Sequence, residues 1–521
     1  MAKHVCVVGA GLAGGIAATE LVRRGFAVTL IEEGTSPAPL QPSDERWEGN
    51  DLQAVFTRGR GIGGSANFWH GGLITLDRSD VEGSASFGTG TKWPMAYADL
   101  SRHYEAATAL MSGGELDLRQ LEDTPSSVEG LALAPDLFRF KPLFFPATPY
   151  SPASAIERAI GHGLTLRSGW RARRVRVGAN GVATDVVIAH AGTGAEDVVQ
   201  ADAVILAAGG IGSPKLLLQS DLGPAADLRL PIGQRLIDHP TGFVFKARLR
   251  RRMDLRALFG VRPSPGLHYR RRYGATLAPS RLAEADGRNH VLYLRPAFSL
   301  RSPAGYAALK QRLVAYKGTG LKAADLVRLV AHADMLAEAA NFKFGLVTNV
   351  RYVAGFVFAE QLDPEANAIE PDGRGGFRVR WSISKPDADS LRRFLGCFTE
   401  AHAQLFDRVV TFDGLLGSGA HHSGGCRMGH SHADGVVDGG LRVFGTTNLY
   451  VADGSVLGTS GYANTGLTIA ALALRCVEAI AGAGSVSDVR APSPAPVPSF
   501  PLATARPVAS MTAGGQPEQT R

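Results

Sequence analysis

Cysteine is scarce. Four are spread over 521 residues, Cys6, Cys397, Cys426 and Cys476, with no CxxC spacing among them. That excludes a disulfide framework and a cysteine-based metal centre, so unpaired thiols, no bound metal and a reducing, cytoplasmic setting are expected. Long apolar runs are also missing. None approaches the roughly 18 residues a spanning helix needs, and the first apolar stretch is interrupted by glycines too early to read as an export signal. Excess charge is small, at +7 from 55 basic and 48 acidic residues. The basic residues form short clusters at Arg171–Arg176, Arg248–Arg252 and Arg270–Arg272 outside any recognisable nucleic-acid module, so nucleic acid is not an expected partner. Apolar content of 45% and charged content of 20% are ordinary for a globular chain. The length exceeds what one core usually serves, so two domains are expected.

What is present lies at the two ends. Residues 5–14 read VCVVGAGLAG. Val5, Val7 and Val8 form a short buried strand, and Gly9, Gly11 and Gly14 follow in the spacing GxGxxG. Gly9 suits a tight turn, Gly11 a close backbone approach to a pyrophosphate, and Gly14 close packing of the next helix on the strand. That helix is predicted over Ala13–Arg24, stopped by Gly25, and its N-terminus offers amides and a dipole end to an anion. A second strand, Ala27–Ile31, ends at Glu32, placed to grip ribose hydroxyls. An acid there argues for a free 2′-hydroxyl, as in FAD or NAD, and against NADP.

Between the ends, Arg58–Leu73 reads RGRGIGGSANFWHGGL, where glycines let the backbone lie close to a flat group. A helix is predicted over Tyr97–Met111, and 112–150 reads as an irregular cover or lid. Residues 164–190 alternate as strands, with Asn180-Gly181 marking a hairpin. A buried strand at 203–208 leads through Gly209 and Gly210 to a helix start at Ser213-Pro214. Strands are expected at 242–248, 290–298 and 346–360, and helices at 304–316 and 321–340. The segment FVFAEQLDPEAN…GGFRVRWSI reads as two strands of a substrate-side sheet. The tail from about Ser485 is rich in Pro, Ala and Ser and reads as disordered.

At the C-terminal end, 421–429 read HHSGGCRMG and 449–469 read LYVADGSVLGTSGYANTGLTI. Together with GAGLAG and Glu32, RGRGIGGSANFWHGG, GGIGSPKLLLQSDLG and PIGQRLIDHP, in that order, these blocks resemble the glucose–methanol–choline (GMC) flavin oxidoreductases over roughly residues 3–483. The resemblance implies an α/β chain with an α+β second domain: a Rossmann-like FAD-binding domain over 1–80, 155–242 and 412–484, and a discontinuous substrate-binding domain on an antiparallel sheet over 81–154 and 243–411. Counting along the family's HxxGTCRMG pattern puts its catalytic histidine at His421, not His422. The second catalytic position falls on Asn464, so the chain resembles the His/Asn members, such as the cholesterol oxidases and pyranose oxidases. FAD is implied to contact Gly9, Gly11, Leu12, Ala13, Gly14, Glu32, Arg60, Gly63, Gly64, Asn67, His70, Gly71, Gly209, Asp453, Gly454, Asn464 and Thr465.

The chemistry agrees with this. Oxidising an alcohol removes a hydroxyl proton while a hydride leaves the carbon, and a neutral imidazole is suited to the proton. A neutral amide binds the oxygen without competing for that proton, and a flavin takes the hydride. His421 could instead be a buried, hydrogen-bonded histidine with His422 as the base, and Asn464 could serve only as a helix cap. Two departures stand out: Gly425 replaces the pattern's Thr, and Phe68 stands where some members carry the histidine that bonds FAD, so FAD is expected to be non-covalent. Trp69 resembles the Trp of the pyranose-oxidising branch. The expected substrate is a small-molecule alcohol, such as a sugar, glycoside, aminosugar or other biosynthetic alcohol, with oxygen or another acceptor regenerating the flavin. The alternatives are an NAD-linked dehydrogenase and a non-catalytic flavoprotein.

Overall fold

The computed structural model describes residues 3–39, 45–49, 58–83, 93–128, 130–260, 268–282, 288–304, 332–362 and 364–482. The helices expected at 304–316 and over the first part of 321–340, and the tail from Ser485, lie outside these residues. The second helix is described from Ala333 to Phe344.

A five-stranded parallel sheet carries the N-terminal motif. Its order is Leu449–Val451, Ala203–Leu206, His4–Val8, Ala27–Glu32 and Leu164–Ser168. Its strands are apolar along nearly their whole length because helices cover them. The helix after the glycine turn spans Leu12–Arg23 and buries Ile16, Ala17, Ala18 and Leu21. The last strand, Leu449–Val451, puts the C-terminal motif beside the N-terminal one. The predicted hairpin at Asn180-Gly181 joins the antiparallel strands Trp170–Val177 and Ala183–His190.

A seven-stranded sheet is separate from the parallel one. Along it run Phe406–Thr411, Pro240–Asp254, Asn349–Phe358, Val291–Ala297, Tyr269–Leu277 and Phe138–Pro146, with Gly417–Ser418 pairing to the start of Pro240–Asp254. All these pairings are antiparallel. Two expectations are corrected here. Residues 112–150 are not simply a lid, because Phe138–Pro146 is an edge strand of this sheet whose Phe138, Phe140, Phe144 and Phe145 are buried. Aromatic spacing there was masked by prolines at positions an edge strand tolerates. The segment 355–383 divides: FVF ends the Asn349–Phe358 strand, whereas Phe377–Trp381 pairs with Ala368–Pro371 and Glu45–Gly49 in a separate three-stranded sheet. Among the described residues, no helix is long and apolar enough to cross a membrane.

Candidate active site

The large sheet begins where residues 237–241 meet the segment that carries His421. Residues 237–239 run antiparallel to 419–423, with Ile237 and Ser423 exchanging backbone hydrogen bonds and Gly419 N–H donating to His239. Asp238 is buried in this ribbon and organises it. Its Oδ1 accepts from the backbone amides of His239 at 2.7 Å and His421 at 2.8 Å, and its Oδ2 accepts from Ser418 Oγ. Ala420, just before His421, is held in the left-handed region at φ 63°, a strained conformation for a residue with a Cβ.

His421 and His422 diverge, as neighbours on extended chain must. His422 turns toward Trp47, with ring centres 5.8 Å apart, and toward Asp238 at 3.6 Å. His421 lies on the opposite side, stacked at 5.9 Å on Phe358. Its Nε2 is 3.2 Å from Asn464 Nδ2, and its Nδ1 is 2.7 Å from His239 Nδ1. His239 Nε2 is 2.9 Å from the carbonyl of Gly461.

These contacts fix the tautomers. A carbonyl can only accept, so His239 Nε2 carries the proton and donates to Gly461. Burial lowers the pKa of both imidazoles, for His421 to about 3 with the help of the adjacent His239, so both are neutral. A neutral His239 therefore has a bare Nδ1, and His421 Nδ1–H donates to it. That leaves a bare lone pair on His421 Nε2, facing the Asn464 amide.

The N-terminal turn is ringed by three segments. A Cβ on Gly9 would lie 2.5 Å from the Ala207 carbonyl oxygen, and one on Gly14 would lie 1.8 Å from that of Gly9. These glycines are demanded by packing. A Cβ on Gly11 or Gly209 would meet nothing within 4 Å, so open space faces both. Gly64 comes down beside Gly11, where its Cβ would lie 2.9 Å from Gly11 Cα.

A GMC oxidoreductase model matches residues 151–241, a second of the same description matches 376–473, and an NAD(P)-binding Rossmann-like model matches 7–59. The chain belongs to the GMC oxidoreductase family. It is 29% identical over 329 residues to the 2-methyl-1,2-propanediol dehydrogenase of Mycolicibacterium austroafricanum, a match spanning 61% of this chain and 54% of that enzyme. It is 24% identical over 540 residues to the 6'''-hydroxyparomomycin C oxidase of Streptomyces lividus, covering 92% and 91% of the two chains. An FAD-dependent oxidoreductase from Chaetomium thermophilum shares the fold, with a TM-score of 0.56 at 14% identity over 92% of this chain and 99% of that one.

Membership of the GMC family implies a flavin cofactor, and the residues fit one. The Leu12–Arg23 helix starts at Gly11 with no side-chain cap, leaving first-turn amides to face the open space above Gly11. Leu12 and Ala13 belong to that turn. Gly63 is left-handed at φ 94°, with the Asn67 amide folded against it and donating to Ile62. Gly71, at φ 67°, packs on Pro149, and Trp69 packs on Gly466, where the last helix starts beside Thr465. Arg60, Asn67, Phe68 and His70 are exposed along this loop.

Both carboxylates among the expected cofactor residues are engaged with protein. Glu32 accepts from the amides of Ala10, Gly34 and Gly61 at 2.9–3.0 Å, so it braces the glycine turn against the 58–73 loop. Asp453 is buried and accepts from Gly209 N, Ser213 Oγ, Ser455 N and Ser455 Oγ. This explains one correction: the helix expected to open at Ser213-Pro214 spans Gly209–Leu218, with Pro214 inside it, because Asp453 caps the earlier turn from far along the chain. Gly454 follows on the same turn. Gly425 has a reason here too: its Cβ would lie 2.7 Å from Pro214 Cγ, leaving no room for the family's Thr.

Sequence reasoning passed over the polar network behind residues 459–465. Asp77 accepts from Arg139, Lys141, Asn289 and Tyr462. Burial raises its carboxyl, but those cations hold it below the usual range. Asp80, buried beside Asp77, is pushed up to about 7, and burial also raises Glu360. These side chains fix Tyr462 and thereby the loop that carries Gly461 and Asn464. Nothing local marks them, because a buried acid reads like a solvated one until its partners are known.

Proposed function

We propose that this chain is an FAD-dependent enzyme that oxidises an alcohol group to a carbonyl. The observation that carries the reading is the donor chain ending at Gly461, which leaves His421 Nε2 unprotonated beside Asn464. His421 Nε2 accepts the substrate hydroxyl proton, and the Asn464 Nδ2–H group, now its hydrogen-bond partner, turns to hold the substrate oxygen. His239 keeps the lone pair on the correct side of the ring by accepting from Nδ1. Phe358 fixes the plane of the imidazole by stacking.

Bound FAD would supply the hydride acceptor, chemistry no side chain offers. The residues that would hold it are the first-turn amides after Gly11, the space over Gly209, and the 61–72 and 453–466 segments. Glu32 and Asp453 act by fixing those loops. Phe68 offers no ring nitrogen, so we read the flavin as non-covalent. The FAD-binding part comprises 1–80, 155–242 and 412–484, and the substrate-binding part 81–154 and 243–411. Names of relatives acting on a diol and on an aminoglycoside support a sugar, glycoside, aminosugar or other biosynthetic alcohol as substrate.

The test is an anaerobic absorbance spectrum of purified protein before and after adding sugars, aminosugars, diols and simple alcohols. Flavin bands bleached by one compound class are expected, and admitting air shows whether oxygen restores them. Absence of flavin bands after reconstitution with FAD defeats the reading.

A further inference from the structure

Among the described residues, two arginines on the catalytic face of the large sheet have no acid to answer them. Val291, Tyr293 and Arg295 alternate along one strand, in register with Phe358, Phe356 and Ala354 of the next. Paired positions in an antiparallel sheet share a face, so Tyr293 and Arg295 lie on the side of Phe358, the ring stacked on His421. Arg272 joins them from Tyr269–Leu277, opposite Leu143 on the edge strand. That face looks toward the flavin loop, since a Cβ on Gly72 would touch Leu143 and Phe145.

Both guanidiniums are half-buried and rest on aromatic rings. Arg295 lies 3.7 Å from the centre of Phe356 and 4.4 Å from Phe342; Arg272 lies 4.7 Å from Phe145 and 4.9 Å from Phe342. Arg272 donates to the Phe259 carbonyl, and neither makes an ion pair with an acid among the described residues. Burial pushes Arg272 down to about 10, helped by repulsion from Arg270, and Arg295 down to about 9, helped by repulsion from Arg272. Four other buried cations of this fold are matched: Lys246 with Glu338, Lys141 and Arg139 with Asp77, and Arg288 with Asp387. Two adjacent, unmatched, desolvated guanidiniums are costly unless a ligand supplies the counter-charge.

We infer that the substrate is an alcohol that also carries an anionic group, a carboxylate or a phosphate ester, held by Arg272 and Arg295. The planar fork of arginine matches both anions. Two rings, Phe358 and Phe356, separate His421 from Arg295, so the anion sits several bonds from the carbon oxidised. Cationic aminosugars are disfavoured by the same charges. The inference rests on the alcohol-oxidising reading above and narrows it.

The holoenzyme is tested with charge-matched pairs: a hydroxymethyl benzoate against benzene dimethanol, a hydroxyhexanoate against hexanediol, and a sugar phosphate or uronate against the parent sugar. The anion of at least one pair should reduce the flavin with about tenfold higher efficiency, the weight of one charge-assisted hydrogen bond. The carboxylate and phosphate pairs tell which anion is used. Arg295→Gln should erase that preference, lowering the efficiency for the anion by about tenfold more than for its neutral partner, and Arg295→Lys should retain part of it. Equal rates across every pair, or an equal loss for both partners in Arg295→Gln, overturn the inference while leaving alcohol oxidation standing. If no alcohol bleaches the flavin, the functional reading fails, and anion binding is decided by melting: inorganic phosphate should raise the holoenzyme's Tm in wild type and Arg295→Lys but not in Arg272→Gln/Arg295→Gln. No shift in wild type, or the same shift in the Gln variant, overturns it.

Discussion

A single acceptor, the Gly461 carbonyl, sets the state of two histidines, and the consequence is measurable. His239→Leu removes the acceptor for His421 Nδ1–H and frees the imidazole to place its proton on Nε2. The rate of flavin reduction should fall about ten- to a hundredfold, in line with a lost buried hydrogen bond of about 1–3 kcal/mol, with little change in KM. His239→Gln, whose amide oxygen can accept the same proton, should recover much of the rate. Equal losses in both variants would mean that His239 serves packing alone. Counting along the motif found His421 and Asn464 in the sequence. His239 was visible only as part of a short block, because its role depends on a bond to a residue 182 positions away.

At the scale of elements, the glycine turn separates two roles that look alike in the sequence. Gly14→Ala drives a Cβ to within 1.8 Å of the Gly9 oxygen, so it should lower stability by several kcal/mol, on the order of an overpacked core or more. Gly11→Ala meets no protein atom, at a φ of −77° that alanine adopts freely. It should leave the Tm of the flavin-free protein unchanged within a degree or two while weakening FAD binding, measured by fluorescence titration. Loss of stability in Gly11→Ala, or unaltered FAD affinity, would contradict the open cradle. Asp453→Asn puts an amide group among four donors, and should destabilise by about 2–4 kcal/mol, read as a lower Tm. The strand–turn–helix–strand unit was legible because apolar runs and glycines act locally. The start of the Gly209–Leu218 helix was not, because its cap arrives from Asp453.

For the whole molecule, the depressed pKa values of His421 and His239 have a sign that can be followed. Both imidazoles are neutral in the fold and titrate near 6.5 once unfolded. Their contribution to stability is full above that value and is lost as the pH falls from about 6.5 toward 3. The Tm should therefore drop on acidification below pH 6.5, while the flavin-reduction rate shows no acidic limb centred there. A limb near 6.5 would mean that His421 is not held neutral. The α/β class, with a Rossmann-like part and an antiparallel sheet, was readable from the order of motifs. The seven-stranded sheet was only partly so, since its edge strand hid among prolines and one strand of an expected pair belongs to another sheet. The buried acids behind Asn464 left no sequence signal at all.

The account stands on His421 Nε2 as the proton acceptor. The most direct measurement is anaerobic stopped-flow absorbance of FAD-loaded wild type and His421→Ala, mixed with the alcohol that bleaches the wild type. FAD should remain bound in the variant, and reduction should slow at least roughly a hundredfold, the order expected when a general base is lost. Reduction at the wild-type rate with FAD bound would contradict the assignment.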